Sequence, residues 1–579
     1  VNLTLKWIRL TGSSIAILTS LAVSATAQST PPAGVTIPPD APETIEQTIP
    51  TPSDIAPVPP PEPLPATPEP NLQTPPPTEV PEVTAPVSIS FSIQQVNVID
   101  NTVLHDEIAK LVKGFLKFHT EATFEDLVEL RSQITQLYIT NGYITSGAFV
   151  PNNQDLGDGV VDIQVVEGEL ERIEISGLHR LRAGYVRDRL KLAASRPLNQ
   201  NRLEQSLQLL QLDPLIAQVN AELTAGSAPG RNVLRVALRE SNAFHAGVGG
   251  DNYQSPSIGS QQFNIQVSHD NVFGFGDRLS TGYGFTEGLD SFDVSYAIPL
   301  NPRDGTLRLG YNNDDSIITE EEFEELEIRS ESETFSISFR QPLSKTPEHE
   351  FALGLGLDWR RSQTFILDDI PFSFSEGPED GESRVSVLRF FQDWVDRDAR
   401  RVLAARSQFS FGLDTFDATV NDSGTDGRFF SWIGQFQYVQ QLSPRLLLLT
   451  QLSAQLSPDS LLPLERFSLG GVDTVRGYTQ NQLVADNGIL GAVELRIPLT
   501  SDPTELQLTP FFEIGHAWNN RTTDPDPDII AGLGLGVRWL ITPGLTVRLD
   551  YGAPLVDVDN EGNSLQEDGL YFSLRYQPF

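Results

Sequence analysis

From about Ser241 to Phe579 the chain alternates apolar and polar residues with a period of two. Such alternation belongs to strands that show one face to an apolar medium and the other to water. In "AGLGLGVRWLITPGLTVRLDY", Ala531, Leu533, Leu535, Val537, Trp539 and Ile541 share one face, and Gly532, Gly534, Gly536 and Arg538 the other. Thr542-Pro543-Gly544 turns the chain; Leu545, Val547, Leu549 and Tyr551 then resume the apolar side opposite Thr546, Arg548 and Asp550. "GAVELRIPL" sets Val493, Leu495 and Ile497 against Glu494 and Arg496. "YAIPL", "FRQPL", "LRIPL" and "YGAPL" are each expected to close a strand at Pro-Leu, where a missing N–H does little harm. A soluble sandwich would have shorter strands and denser turns. Strands of about ten residues, with tight turns alternating with long polar loops, predict a transmembrane barrel, apolar outside and polar within. Roughly 340 residues at ~20 per strand and connection give about 16 strands.

Upstream the period changes to that of helices. "VSISFSIQQVNVID" reads as a strand and "TVLHDEIAKLVKGFL" as a helix. A second helix starts at Thr123, a residue able to cap it, and carries Phe124, Leu127, Leu130, Ile134 and Leu137 on one face before Asn141-Gly142 ends it. "YITSGAFV" and "GVVDIQVVEG" follow as strands. The same β-α-α-β-β order repeats in "LERIEISG", "AGYVRDRLKLAA", "NQNRLEQSLQLLQ", "AQVNAEL" and "RNVLRVALRE". Two small α+β modules are therefore expected at 88–168 and 169–240, ahead of a barrel at 241–579. Each three-stranded sheet leaves an edge able to accept an extended peptide.

The N-terminal segments fix the compartment. Residues 1–27 have a basic start (Lys6, Arg9), a short apolar core from Ser14 to Val23 and the small residues Ala25-Thr26-Ala27, the plan of a cleaved signal peptide. Val1 is read as a literal translation of an alternative start codon, so that this leader opens the precursor. Residues 28–87 are rich in proline and acid and predict a disordered, semi-rigid linker. No helix is expected in it.

Charge and composition narrow the chemistry. With 77 Asp and Glu against 40 Lys and Arg, net −37, binding of nucleic acid through phosphate neutralisation is not expected. No cysteine is present, which removes disulfides, thiolate metal sites and Cys nucleophiles. Seven histidines are scattered without an H-E-x-x-H or triad grouping, so no enzyme, metal or cofactor is expected. His516 should face lipid near Trp518. The acidic run 312–333 reads as an outward, solvated loop, and the calcium-like spacings in "DSGTDG" and "DPDPD" lack the rest of a binding loop.

One cation stands out. "LGGVDTVRGYTQ", residues 469–480, holds Arg476 between Val475, Gly477 and Tyr478 in a glycine-rich loop. In "LQLTPFFEIGHAW" the polar face carries Gln507, Thr509, Phe511, Glu513, Gly515 and Ala517, so Glu513 points into the lumen. If the loop folds inward, Arg476 and Glu513 can pair through a bidentate fork, with Gly515 leaving room; otherwise Arg476 sits at a solvated tip.

"VRGY" within "FSLGGVDTVRGY" is similar to the signature loop of the Omp85 superfamily. It looks most like the outer-membrane transporters of two-partner (type V) secretion, the hemolysin secretion/activation (TpsB) family. There the loop arginine contacts an acid in an F-x-D-x-G strand motif, matched here by Phe511-x-Glu513-x-Gly515 with Glu for Asp. "GYITSGAFVPNNQDLGDGVVDIQVVEG" resembles the first of that family's two POTRA domains, with Gly147 where a larger residue is usual. "LYFSLRYQPF" looks like an outer-membrane assembly signal of Leu570, Phe572, Leu574, Tyr576 and Phe579, read by the barrel assembly machinery, with Pro578 putting Phe579 out of phase. The resemblance implies a mainly β outer-membrane protein with its POTRA domains in the periplasm and its outer loops among lipopolysaccharide. It would bind an unfolded exoprotein and pass it through the barrel. An insertase for other barrels and a solute porin are the alternatives.

Overall fold

A computed structural model describes residues 37–38, 41–48, 71–73, 90–152, 154, 158–558 and 564–578. The signal-peptide segment and Phe579 lie outside the described residues.

Sixteen antiparallel strands among the described residues close into a barrel. They are β1 Phe244–Asp251, β2 Gln262–His269, β3 Arg278–Phe285, β4 Leu289–Pro299, β5 Thr306–Ile317, β6 Arg329–Lys345, β7 His349–Ile366 and β8 Glu382–Arg397. The second half comprises β9 Arg401–Leu413, β10 Phe430–Ser443, β11 Leu446–Leu456, β12 Asn487–Pro498, β13 Leu506–Trp518, β14 Ile529–Thr542, β15 Leu545–Pro554 and β16 Leu570–Tyr576. The ring closes where β1 pairs with β16, from Val248↔Tyr576 to Asp251↔Ser573. A two-residue strand, Ile370–Pro371, folds back on the outer end of β7.

Alternation drives this closure. Leu533 is 53 % exposed and, with Leu535, Trp539 and Ile541, faces outward as a lipid-facing row must. The intervening positions are small or polar and turn to a lumen filled by other parts of the chain. His516 sits beside Trp518 on the outer face, 3.3 Å from Asp528. Three Pro-Leu segments do end strands, at Pro299, Pro498 and Pro554. "FRQPL" does not: β6 continues to Lys345, and Pro342 sits at a register shift, where no ladder N–H is required. The acidic run 312–333 is likewise not a free loop. Residues 312–317 belong to β5 and 329–333 to β6, and Asp314 accepts hydrogen bonds from Ser291 and Asn312.

Before the barrel stand the two α+β modules. In the first, Gln95–Ile99, Val160–Val166 and Gly147–Phe149 form a sheet with Val160–Val166 central. Helices α2 (His105–Phe118) and α3 (Phe124–Thr140) cover it. Thr123 and Asp126 build a reciprocal capping box on α3, whose Leu127, Leu130, Ile134 and Tyr138 pack on Val161, Ile163 and Val165. The buried carboxylate of Glu167 accepts from Thr102 N (2.7 Å), Thr102 Oγ1 (2.5 Å) and the Tyr138 hydroxyl (3.0 Å). Glu167→Ala strands these donors. It is expected to destabilise the module by about 2–3 kcal/mol, read as faster amide exchange across 160–166 in the full chain.

The second module contains Glu169–Ser176, α4 (Ala183–Lys191), α5 (Gln200–Gln211), Ile216–Ala225 and Arg231–Glu240. Its sheet has four strands rather than three, because Asn71–Gln73 pairs in parallel with the edge strand Ile216–Ala225 at Asn71↔Asn220 and Gln73↔Glu222. Module and barrel touch. Arg182 stacks 3.7 Å from the Phe275 ring centre, and Arg189 donates to Asp304 from Nε at 3.0 Å and Nη2 at 2.5 Å.

The expectation of a helix-free linker is corrected. Ala41–Thr48 forms helix α1, which packs Ala41 and Ile45 among Ile318, Phe323, Phe372 and Phe374 at the outer end of the barrel. Eight residues are too few to be helical alone, so docking stabilises the helix, and no periodic signal announces it.

Candidate functional site

The 457–486 connection between β11 and β12 enters the lumen. Its stem is a small hairpin, Phe467–Leu469 against Leu483–Ala485. Gly470, Gly471 and Gly477 have φ of 109°, 89° and 108°, a region that side chains resist, so the tip can double back only with glycine there. Gly471 N donates to Tyr478 O at 3.2 Å and closes the tip.

Arg476 is 3 % exposed and reaches three carboxylates on three strands. Its Nε and Nη2 donate to Glu513 Oε1 at 2.9 and 2.5 Å, and its backbone N–H donates to Glu513 Oε2 at 2.7 Å. Nη1 reaches Asp550 Oδ1 of β15 at 3.1 Å, and Nη2 reaches Glu494 Oε2 of β12 at 3.2 Å. The Phe511 ring lies under the guanidinium, 3.3 Å from its carbon. Arg496 pairs with Glu494 at 3.1 Å and Arg548 with Asp550 at 2.5 Å, so three cations meet three anions in one network.

Backbone contact matches the charge contact. A Cβ on Gly532 would lie 2.0 Å from Arg476 O, and one on Gly552 would lie 2.6 Å from Arg476 C and Gly477 N, so the loop rests flush on β14 and β15. Gly515 has a different role from the one expected: a Cβ there would meet Leu469 Cδ1 at 2.6 Å, so it accommodates the stem rather than the arginine. Tyr478 is fully buried, with its hydroxyl 2.9 Å from Ala531 O and 3.0 Å from Val556 O. Tyr571 of β16 accepts from Gly477 N at 2.8 Å and donates to Tyr478 O at 2.6 Å. Val475 packs in the apolar cluster of Leu469, Ile530 and Ala517.

The structure thus brings Val475, Arg476, Gly477, Tyr478, Phe511, Glu513 and Gly515 together in the lumen. Leu570, Phe572, Leu574 and Tyr576 alternate along the last barrel strand on the face opposite Tyr571, so they do not touch the loop that Tyr571 bonds. Sequence reasoning missed Tyr571, and it missed Glu494 and Asp550 as partners. Alternation does place both acids on the polar face, but their level along the barrel depends on strand register.

A second polar knot holds the loop stem. Glu465 accepts from Arg360 Nη1 of β7 at 2.8 Å and from Arg389 Nη2 of β8 at 2.9 Å. Arg466 Nη1 donates to Glu46 of α1 at 2.5 and 2.6 Å.

The profile described as "Haemolysin secretion/activation protein ShlB/FhaC/HecB" matches residues 230–539, and that of "POTRA domain, ShlB-type" matches 91–168. The outer membrane transporter CdiB of Dickeya dadantii is 24 % identical over 479 residues, covering 78 % of this chain and 81 % of the relative. The outer membrane protein assembly factor BamA of Nitratidesulfovibrio vulgaris is 24 % identical over 452 residues, covering 73 % of this chain but 54 % of the relative. The structure of CdiB from Escherichia coli superposes with a TM-score of 0.65 at 23 % identity, covering 87 % of this chain and 93 % of that one.

Proposed function

This chain belongs to the haemolysin secretion/activation family ShlB/FhaC/HecB, and on that premise we propose that its POTRA modules capture an unfolded exoprotein that leaves through the barrel. It is an outer-membrane transporter of the Omp85 superfamily, with its N-terminal modules in the periplasm. The observation that supports a gated route is the filled bore: the Arg476 loop and helix α1 both occupy the lumen, so a chain passes only when they yield. No nucleotide is available at that membrane, so folding of the cargo outside supplies the drive.

Capture by strand addition suits an edge that already holds a strand. The cargo is expected to compete with Asn71–Gln73 for Ile216–Ala225. Leu72→Pro, which weakens the resident strand, should raise cross-linking of exported protein to a photoreactive residue at position 220 several-fold; unchanged cross-linking would place capture elsewhere.

The deciding experiment compares exported proteins with and without this chain. Loss of one large exoprotein, with the outer-membrane proteome intact, is expected. Depletion of many barrel proteins would instead make it an insertase.

A further inference from the structure

The loop that carries Arg476 is fastened to the wall twice, with opposite signs. At its tip a loop cation meets wall anions; at its stem a loop anion, Glu465, meets the wall cations Arg360 and Arg389. Glu465 is 1 % exposed. Arg389 is itself held by Asp358 Oδ2 at 2.6 Å and by Ser410 Oγ at 2.8 Å, and Arg360 Nη1 also donates to Leu464 O at 2.5 Å. The stem anchor is therefore a rigid, buried arrangement, the kind in which a charged hydrogen bond orients the backbone that carries it.

What that orientation sets is the direction of the next residue. Arg466 has extended backbone angles, φ −72° and ψ 153°, so its side chain projects away from that of Glu465. Glu465 points at the wall and Arg466 at helix α1, where it grips both oxygens of Glu46. Arg466 is steadied in turn by Leu461 O at 3.1 Å from its Nε, and Asp486 Oδ1 lies 3.7 Å away. The returning limb of the loop reaches the helix too, with Asn481 Nδ2 donating to Gln47 O at 3.0 Å. An eight-residue helix cannot persist without its docking contacts, so its occupancy of the lumen depends on where these loop groups stand.

We propose that Glu465 is a positioning residue for the plug: its clamp between Arg360 and Arg389 aims Arg466 at Glu46 and so keeps helix α1 in the lumen. The loop and the helix then form one coupled obstruction. Releasing the stem releases the plug, even while Arg476 remains bound. This rests on the reading of the barrel as a closed transport pore, but its test follows the helix and not secretion, so the two can fail separately.

The chain contains no cysteine, so a single reporter is unambiguous. Thr48, at the end of α1, is 6 % exposed, and cysteine is close to it in size. In full-length protein in lipid nanodiscs, Thr48→Cys should react slowly with a water-soluble maleimide. Adding Glu465→Gln is expected to speed labelling about tenfold or more as the helix leaves its seat. Glu465→Asp, which keeps the charge, should label near the parent rate, a distinction that general loosening of the stem would not produce. Heat-modifiable migration of the barrel on gels should be unchanged in each variant. Should Glu465→Gln fail to assemble, Arg360→Gln removes one of the two wall partners of Glu465 and should also accelerate labelling, by less; a parent rate there too would overturn the proposal. Parent-rate labelling with Glu465→Gln, or equal acceleration by Gln and Asp, would overturn the proposal.

Discussion

Arg476→Gln is expected to destabilise the loop's lumen-bound state by about 3–5 kcal/mol, the usual cost of removing one partner from a buried ion pair, and to abolish secretion because a loop that cannot reseat no longer cycles between closed and open. The loss falls at this end of the range or beyond, because Arg476 serves three acids. Without it Glu513, which is almost wholly buried, keeps only the backbone N–H of residue 476, while Glu494 and Asp550 retain Arg496 and Arg548. The same geometry makes a charge swap a poor rescue. In Arg476→Glu with Glu513→Arg, the new loop carboxylate still faces Glu494 and Asp550, so recovery should be slight, where an isolated pair would be restored. The measurement is the exoprotein released per cell for the single and double variants, with barrel heat-modifiability as the control. Substantial recovery by the swap would show that Glu513 alone holds the arginine.

Gly532→Val is expected to match that loss without altering any charge. Its Cβ would sit 2.0 Å from the carbonyl oxygen of Arg476, backbone that no rotamer change can move aside. The loop must lift from β14, and the hydrogen bonds of Arg476 lengthen with it. Gly491→Ala supplies the contrast: its Cβ would meet Leu452 Cδ2 at 3.6 Å and Ile514 Cγ2 at 3.9 Å, ordinary contacts that should change stability by less than about 0.5 kcal/mol. Cargo-free conductance in planar bilayers reads both variants. Gly532→Val should give a leaky pore and Gly491→Ala a parental one; two parental traces would mean that the loop is not seated by close approach.

Much of this site was legible because a barrel strand declares its faces. Period-two alternation put Glu513, Glu494 and Asp550 on the wet side, and Thr123 announced the start of α3. The pairing of Arg476 with Glu513 came from a motif resemblance and a face assignment together. What stayed hidden depends on register and on contacts distant in sequence. Whether Glu494 of β12 and Asp550 of β15 reach the level of Glu513 follows from strand stagger, which local sequence does not encode. Tyr571 sits opposite Asp550 and reads as one more residue in an alternating strand. Helix α1 and the strand Asn71–Gln73 form in proline-rich sequence only because the barrel and the second module supply partners.

A lumen loop pinned at rest must move for cargo to pass, and a removable lock tests that directly. A Cβ at Gly515 lies 3.2 Å from Leu469 Cγ, so Leu469→Cys with Gly515→Cys in this cysteine-free chain should bring two sulfurs within bonding reach and tie the stem to β13. With the disulfide closed, exoprotein should stop appearing outside the cell, and reductant should restore export to the rate of the unlocked protein. Export at full rate through the locked barrel would contradict the account.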